Sequence, residues 1–199
     1  MERFARIASH DLKESLRLIN SFMELLHKNY ATQLDEKANK YINFSIDATR
    51  RMTILINDLL EYAKIGADET LFEHIDTKSL MEEIIPLYQV ELDLKEGSLI
   101  LENLPDILGQ KTPIKMLFQN LMGNAIKYQR ADNPPLIKIS GRESDDSWGF
   151  CVEDNGIGIP SQYFEEIFLM FKRLHTKEIY AGTGMGLATC KKIVTRHGG

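Results

Sequence analysis

The 199-residue sequence predicts an α+β protein in two parts: an N-terminal antiparallel helical hairpin over residues 1–66, then an α/β sandwich over residues 71–199. Three observations predict it. Apolar residues recur at alternating spacings of three and four through two long segments. Gly66 and the polar run ADET then break that pattern. From Leu71 onward, short strand-like runs alternate with helical ones.

In the first helix Ala5, Ala8, Leu12, Ser15, Ile19, Phe22 and Leu26 form one apolar seam. At about 100° per residue, His10 projects roughly opposite that seam, toward water. This helix is expected to end near Asn29 or Tyr30, and the next to begin near Leu34 or Asp35 after a short turn. The second helix carries Leu34, Ala38, Tyr41, Ser45, Ala48, Met52, Leu55, Leu59 and Tyr62 on one stripe, with Ile42, Ile56, Leu60 and Ala63 on another. One stripe faces the hairpin partner and the other needs a cover. Two hairpins pairing into a four-helix bundle would bury both, which predicts a homodimer through residues 1–66. The alternative is that residues 67–199 cover the spare stripe within one chain.

The second part reads as strand FEHI, a helix from Thr77 to about Leu94, and strand SLILEN. A helix from about Thr112 to Gln129 follows, then strands LIKISGRE and WGFCVED, and a final helix from about Gly186 to Arg196.

Composition excludes several function classes. Residues 1–66 hold ten Lys and Arg against nine Asp and Glu, and residues 67–199 hold fourteen against twenty, so neither part is a nucleic-acid binder by bulk charge. No run approaches about 18 apolar residues, which predicts no membrane contact from this segment and a cytoplasmic location. Cys151 and Cys190 lack metal-ligand spacing and read as buried free thiols.

Three constellations in the second part carry chemistry. In QNLMGNAIKYQ, Asn120, Asn124 and Lys127 stand at i, i+4 and i+7 and share one helical face, beside an apolar stripe of Ile114, Phe118, Leu121, Ala125 and Tyr128. Amide oxygens there suit Mg2+, which keeps waters and bridges phosphates, while the lysine balances phosphate charge; simple solvation is the alternative. In VEDNGIGIP, Asp154 ends an apolar strand ahead of Gly156 and Gly158. An ionised carboxylate only accepts hydrogen bonds, so it suits adenine's exocyclic amine and repels guanine's carbonyl, which predicts ATP over GTP. An ordinary Asp-Asn-Gly turn explains the glycines but not the apolar Ile157 and Ile159 that follow them. In GTGMGL, Gly182, Gly184 and Gly186 precede a helix, where free N–H groups favour phosphate. Leu187 stands where a dinucleotide fingerprint needs glycine, and no GxxxxGK[ST] occurs, so neither of those sites is supported. FKRLHTKEIYAG, with Lys172, Arg173 and His175, reads as a flap over the phosphates or as a plain surface loop.

Taken together these residues resemble a sensor histidine kinase. SHDLKESLR resembles the phospho-acceptor box, QNLMGNAIKY the N box, VEDNGIGIP the first glycine box, IFLMFKRLH the F box and GTGMGLATCKKIV the second glycine box. They stand in the family's order, and LRLINSFMELLHKNY and KKIVTRHGG resemble its phytochrome-like branch. The resemblance implies a dimerisation and phospho-acceptor hairpin followed by an ATP-binding sandwich of the gyrase type. It implies that neutral His10 attacks the γ-phosphoryl of ATP with Asp11 as orienting general base, and that an aspartate on a response regulator receiver domain then takes the phosphoryl. Asn124, with help from Asn120, would hold magnesium. Lys127, Lys172 and Arg173 would balance charge and Asp154 would select adenine. Tyr128, Gly156, Gly158, Gly182, Thr183, Gly184, Gly186 and Leu187 belong to the matched boxes and complete the implied ATP site. His27, His74 and His197 lie in no box and read as surface or packing residues.

Departures carry expectations of their own. Ser15 stands where the family usually has proline, which predicts a straighter first helix. Glu14 occupies the place of a threonine or asparagine in members that remove phosphate, so strong phosphatase activity is not expected. Relatives continue through a further strand pair, so the chain is expected to be truncated after Gly199. A catalytically weak nucleotide-binding scaffold and a gyrase-like ATPase without phosphohistidine are the alternative functions.

Overall fold

The computed structural model describes residues 2–66, 71–130, 132–144, 147–174, 180 and 182–199, with side chains from residue 11 onward and the backbone alone at 144. The chain divides into two compact units, Met1–Ala67 and Asp68–Gly199.

The first unit is a hairpin of α1 (Glu2–Tyr30) and α2 (Glu36–Lys64). The Asp35 side chain caps α2 by accepting from the Ala38 N–H at 2.6 Å, satisfying one of the helix's orphan donors. Asn39 donates across the turn to the Ala31 carbonyl at 2.8 Å. α1 is helical through Ser15, whose hydroxyl donates back to the Asp11 carbonyl at 2.9 Å.

The stripe that closes the hairpin is not the apolar seam read from α1. Leu16 of α1 and Ile46 of α2 are 6% and 7% exposed, while Asn20, Met23 and His27 are half-buried along the same stripe of α1. Thr49, itself buried, donates to Asn20 Oδ1 at 3.1 Å, and Arg50 pairs with Glu24 at 2.8 Å on the rim. Leu12, Ile19, Phe22 and Leu26 remain exposed, Phe22 by 58%, as do Tyr41, Met52 and Leu59 of α2. Ile42, Ile56, Leu60 and Ala63 are half-buried. The side chains of Ala5, Ala8 and His10 lie outside the described residues.

The second unit runs β1 (Glu73–Asp76), α3 (Thr77–Ile84), α4 (Pro86–Leu94), β2 (Ser98–Glu102), β3 (Asp106–Gly109), α5 (Lys111–Lys127), β4 (Leu136–Ser144), β5 (Ser147–Asp154), two short 3-10 turns and α6 (Gly186–Arg196). β1 pairs antiparallel with β3. β2 runs parallel to β4, which pairs antiparallel with β5 from Ser144–Ser147 to Ile137–Asp154. Ile137 and Ile139 point from the sheet into a core with Phe118, Met122, Ile126, Leu80, Met81 and Ile193, all essentially without solvent contact. Burial of such side chains contributes about 1.5–3 kcal/mol each and holds helices to sheet.

Two expectations need correction. The single helix from Thr77 to Leu94 is two, because Pro86 has no N–H to continue the first and instead opens the second at its N1 position. The sequence reading also omitted β3, a four-residue strand whose only long-range signal is its partner β1.

α5 is held by side chains from other elements. Tyr88 of α4 donates to the Gln119 carbonyl at 2.9 Å, and Lys95 donates to the Ile126 carbonyl in the last turn, also at 2.9 Å. At the other end the Gln110 N–H donates to His197 Nε2 at 3.0 Å, while His197 Nδ1 lies 2.8 Å from the Ile193 carbonyl, so the ring is the Nδ1–H tautomer. His197 is therefore a tie between α6 and α5 rather than a surface residue. Glu83 of α3 bridges Lys111 and Lys115 at 2.8 and 2.7 Å. Those two hydrogen-bonded ammonium groups hold its carboxyl down to about 2 from an ordinary 4.5.

The Cys190 thiol is buried as expected, which pushes it up to about 12, whereas Cys151 is exposed on β5, against the expectation that both are buried. Titration with a chromogenic disulfide should therefore show Cys151 reacting in the native protein and Cys190 only after denaturation. Because the Glu83 carboxyl is depressed in the folded state, its contribution is full above the unfolded value of 4.5 and fades as pH falls through about 2. Urea midpoints of the parent should exceed those of Glu83→Gln at neutral pH and converge with them across that acid window.

Candidate functional site

A cavity of about 230 Å³ opens between the C-terminal half of α5, the end of β5 and the first turn of α6. Seven residues singled out from sequence line it: Asn124, Tyr128, Asp154, Gly158, Lys172, Arg173 and Leu187. The rest of its wall is apolar, with Leu121 and Ala125 from α5 and Val152, Ile157, Ile159, Ile167 and Leu174 from β5 and the segment after it. An apolar slot with a few converging polar groups suits a flat heterocycle carrying a charged tail.

The polar groups are placed by backbone geometry. α5 turns Asn124 and Tyr128 to the same side, one helical turn apart. Asp154 is the last residue of β5, where its Oδ1 accepts from the Gly156 N–H at 2.8 Å in an Asx turn; Oδ2 makes no hydrogen bond among the described residues. Glycine is required at position 156, since a Cβ there would run into the Tyr128 carbonyl. That close approach lets the Ile157 N–H donate to the same carbonyl at 2.9 Å, joining the end of α5 to the turn after β5.

Ahead of α6, Gly184 has φ of +78° and lies against the backbone of Phe171 and Lys172, where a Cβ would sit 2.7 Å from the Lys172 carbonyl. The Phe171 N–H donates to the Gly184 carbonyl at 3.1 Å. This brings Lys172 and Arg173 to the start of α6. Lys172 pairs with Glu166, and Arg173 donates to the Tyr180 carbonyl at 2.5 Å.

Other residues picked out from sequence stand outside the cavity lining. The Asn120 amide donates to the Met116 carbonyl at 3.0 Å, and its Oδ1 lies against Gly186. The Lys127 ammonium sits 4.2 Å from the centre of the Tyr128 ring, beside Gly182, and lines a second, open cavity of about 510 Å³ with Lys95 and Arg130. Thr183 accepts from the Met185 N–H at 3.4 Å through its hydroxyl. Gly156, Gly182, Thr183, Gly184 and Gly186 are likewise absent from the cavity lining. Asp11 is exposed on α1; the His10 side chain and His175 lie outside the described residues. Sequence reasoning missed Val152, Ile167 and Leu174. Val152 was legible, since it shares a strand face with Asp154 two residues on.

No group of three or more His, Cys, Asp or Glu able to hold a metal occurs among the described residues. The donor set around Asn124 fits an ion that arrives with phosphate ligands and waters, not one held by protein carboxylates.

An α/β sandwich with such a cavity, following a helical hairpin along the chain, defines an ATP-binding domain joined to a phospho-acceptor domain. Residues 109–199 match the family described as histidine kinase-, DNA gyrase B- and HSP90-like ATPases, and residues 1–68 match the His kinase A phospho-acceptor domain. This chain belongs to the sensor histidine kinases. It is 38% identical over its whole length to phytochrome-like protein Cph1 of Synechocystis sp. and, again over its whole length, to cyanobacterial phytochrome A of Nostoc sp.. In each case it spans 26% of the relative's length. Full-length ShkA in complex with AMPPNP shares the fold with a TM-score of 0.71 at 22% identity, covering all of this chain and 42% of that one.

Asp154→Ala should weaken ATP binding about tenfold or more, the cost of losing a hydrogen bond to a charged acceptor, while Asp154→Asn should erode the preference for ATP over GTP. Competition of each nucleotide against a fluorescent ATP analogue measures both; unchanged affinity in Asp154→Ala would remove the residue from the site.

Proposed function

We propose that this chain autophosphorylates on His10 from ATP and passes the phosphoryl group to an aspartate on a response regulator receiver domain. The observation that carries the reading is one apolar cavity lined by both Asp154 and Asn124, in a chain whose first 68 residues match a phospho-acceptor domain. Residues 71–199 would serve as the catalytic domain and residues 1–66 as the dimerisation and acceptor domain.

In this reading Asp154 accepts from the adenine amine, and Leu121, Ile157 and Leu187 flank the base. The Tyr128 ring borders the sugar, while Lys127, Lys172 and Arg173 neutralise the triphosphate. Asn124, with Asn120 behind it, would hold Mg2+, which supplies charge neutralisation at the phosphates. The His10 ring nitrogen bonds to the γ-phosphorus as its bond to the β–γ bridging oxygen breaks, releasing ADP. Asp11 takes the proton from the ring's other nitrogen. Positioning and charge balance account for most of the acceleration in such transfers.

Dimerisation is supported by the exposed stripe of Leu12, Ile19, Phe22, Leu26, Tyr41, Met52 and Leu59, which a second hairpin would cover. No helix among the described residues is long and apolar enough to cross a membrane.

Incubation with radiolabelled ATP and magnesium tests the proposal. The parent should acquire an acid-labile, base-stable label that is lost in both His10→Ala and Asn124→Ala. ATP hydrolysis persisting in His10→Ala would favour a gyrase-like ATPase, and binding without label or turnover a non-catalytic scaffold.

A further inference from the structure

Tyr180 belongs to none of the groups assigned above, yet three of its contacts converge on the cavity wall. Its ring lies 4.9 Å from the Tyr128 ring, centre to centre, at a tilt of 54°. Its hydroxyl donates to the Gln129 carbonyl at 3.2 Å, one residue past Tyr128. Its own carbonyl accepts from the Arg173 guanidinium at 2.5 Å. Tyr128 and Arg173 both line the cavity, and Tyr180 does not.

We infer that Tyr180 is a positioning residue for nucleotide binding, acting through Tyr128 and Arg173. The reasoning is geometric. Tyr128 stands just after the last turn of α5, where its carbonyl is bonded to Ile157 and its ring is held by side-chain contacts. The Lys127 ammonium at 4.2 Å and the Tyr180 ring at 4.9 Å leave that ring few rotamers. Arg173 has a long, mobile side chain, and a backbone carbonyl placed against its guanidinium holds it at the cavity before any phosphate arrives. The carbonyl stays there because the Tyr180 ring and hydroxyl are pinned to Tyr128 and Gln129. Preorganised walls spare the ligand the cost of ordering them.

The ring contact dominates, because the hydroxyl bond is long for an O–H donor. Removing the ring should therefore weaken binding about fivefold to tenfold, the range expected for a lost aromatic pair, whereas removing the hydroxyl alone should change it by about twofold or less. The preference for ATP over GTP should not move, since that belongs to Asp154.

This inference rests on the cavity being an ATP site, and the experiment separates the two. ATP dissociation constants and label incorporation at saturating ATP are measured for the parent, Tyr180→Leu and Tyr180→Phe, alongside their melting temperatures. Tyr180→Leu should raise the dissociation constant about fivefold to tenfold while the saturating rate stays within about twofold, and Tyr180→Phe should stay near the parent in both. If Tyr180→Leu melts early, Tyr180→Gln, which can still reach the Gln129 carbonyl without a ring, takes its place with the same expectation. Unchanged affinity in the ringless variant, or equal losses in the Phe and ringless variants, overturns the inference. Absence of ATP binding in the parent overturns instead the nucleotide reading beneath it.

Discussion

The contact on which the second unit turns is the one between the end of α5 and the turn after β5. Gly156 brings that turn close enough for Ile157 to bond the Tyr128 carbonyl, and the Asx turn at Asp154 sets the turn's direction. The cavity is the space left where these two chain ends lean together. Its depth follows from the apolar residues of α5 and β5, and its polar edge from the residues at which each element stops. No side chain larger than hydrogen fits at the meeting point, so the spacing of the two chain ends is set by backbone.

α5 can serve as a rigid wall because its backbone is bonded from outside along its length. His197 holds its first turn, Tyr88 its middle and Lys95 its last turn. Lys95 satisfies a carbonyl that has no helical partner, in the last turn before Tyr128. Two ties come from α4 and its C-cap and one from the end of α6, so a displacement of the helix would disturb several contacts at once. Side chains that must meet a ligand within a fraction of an ångström need such a mount.

Much of this was legible in the sequence, for physical reasons that differ by element. Helix periodicity located both hairpin helices, and the Gly and Asp signals around Leu34 and Gly66 located their ends. The same periodicity misled about which face closes the hairpin, because hydrophobicity was the guide and the closing face carries Asn20, His27 and Thr49. Pro86 stood in plain sight inside the run read as one helix, and its missing N–H was reason enough to divide it. β3 could not be read alone, since four residues with one partner strand have no period to detect. Asn124 and Asp154 were found because helix spacing and a strand end are local facts. Ile167 and Leu174 were not, since they reach the cavity by tertiary contact, nor was Tyr180, which touches the wall residues Tyr128 and Arg173 without lining the cavity itself. Asn120 and Lys127 share the predicted helical face with Asn124, yet in the structure they lean on Gly186 and Tyr128 beside the cavity, a distinction of a few ångströms that spacing does not carry.

The hairpin's closing stripe hides few methyl groups, and two of its polar atoms, His27 Nδ1 and Asn39 Oδ1, are buried without a protein partner. Most of the oily surface of this unit faces outward. Two helices joined by such a seam gain little by meeting each other, and a larger gain waits on whatever covers the outer face. In the proposed dimer, mass action would enter the folding equilibrium of these 67 residues: dilution would loosen them, a second copy would tighten them, and their thermodynamics would not be written per chain.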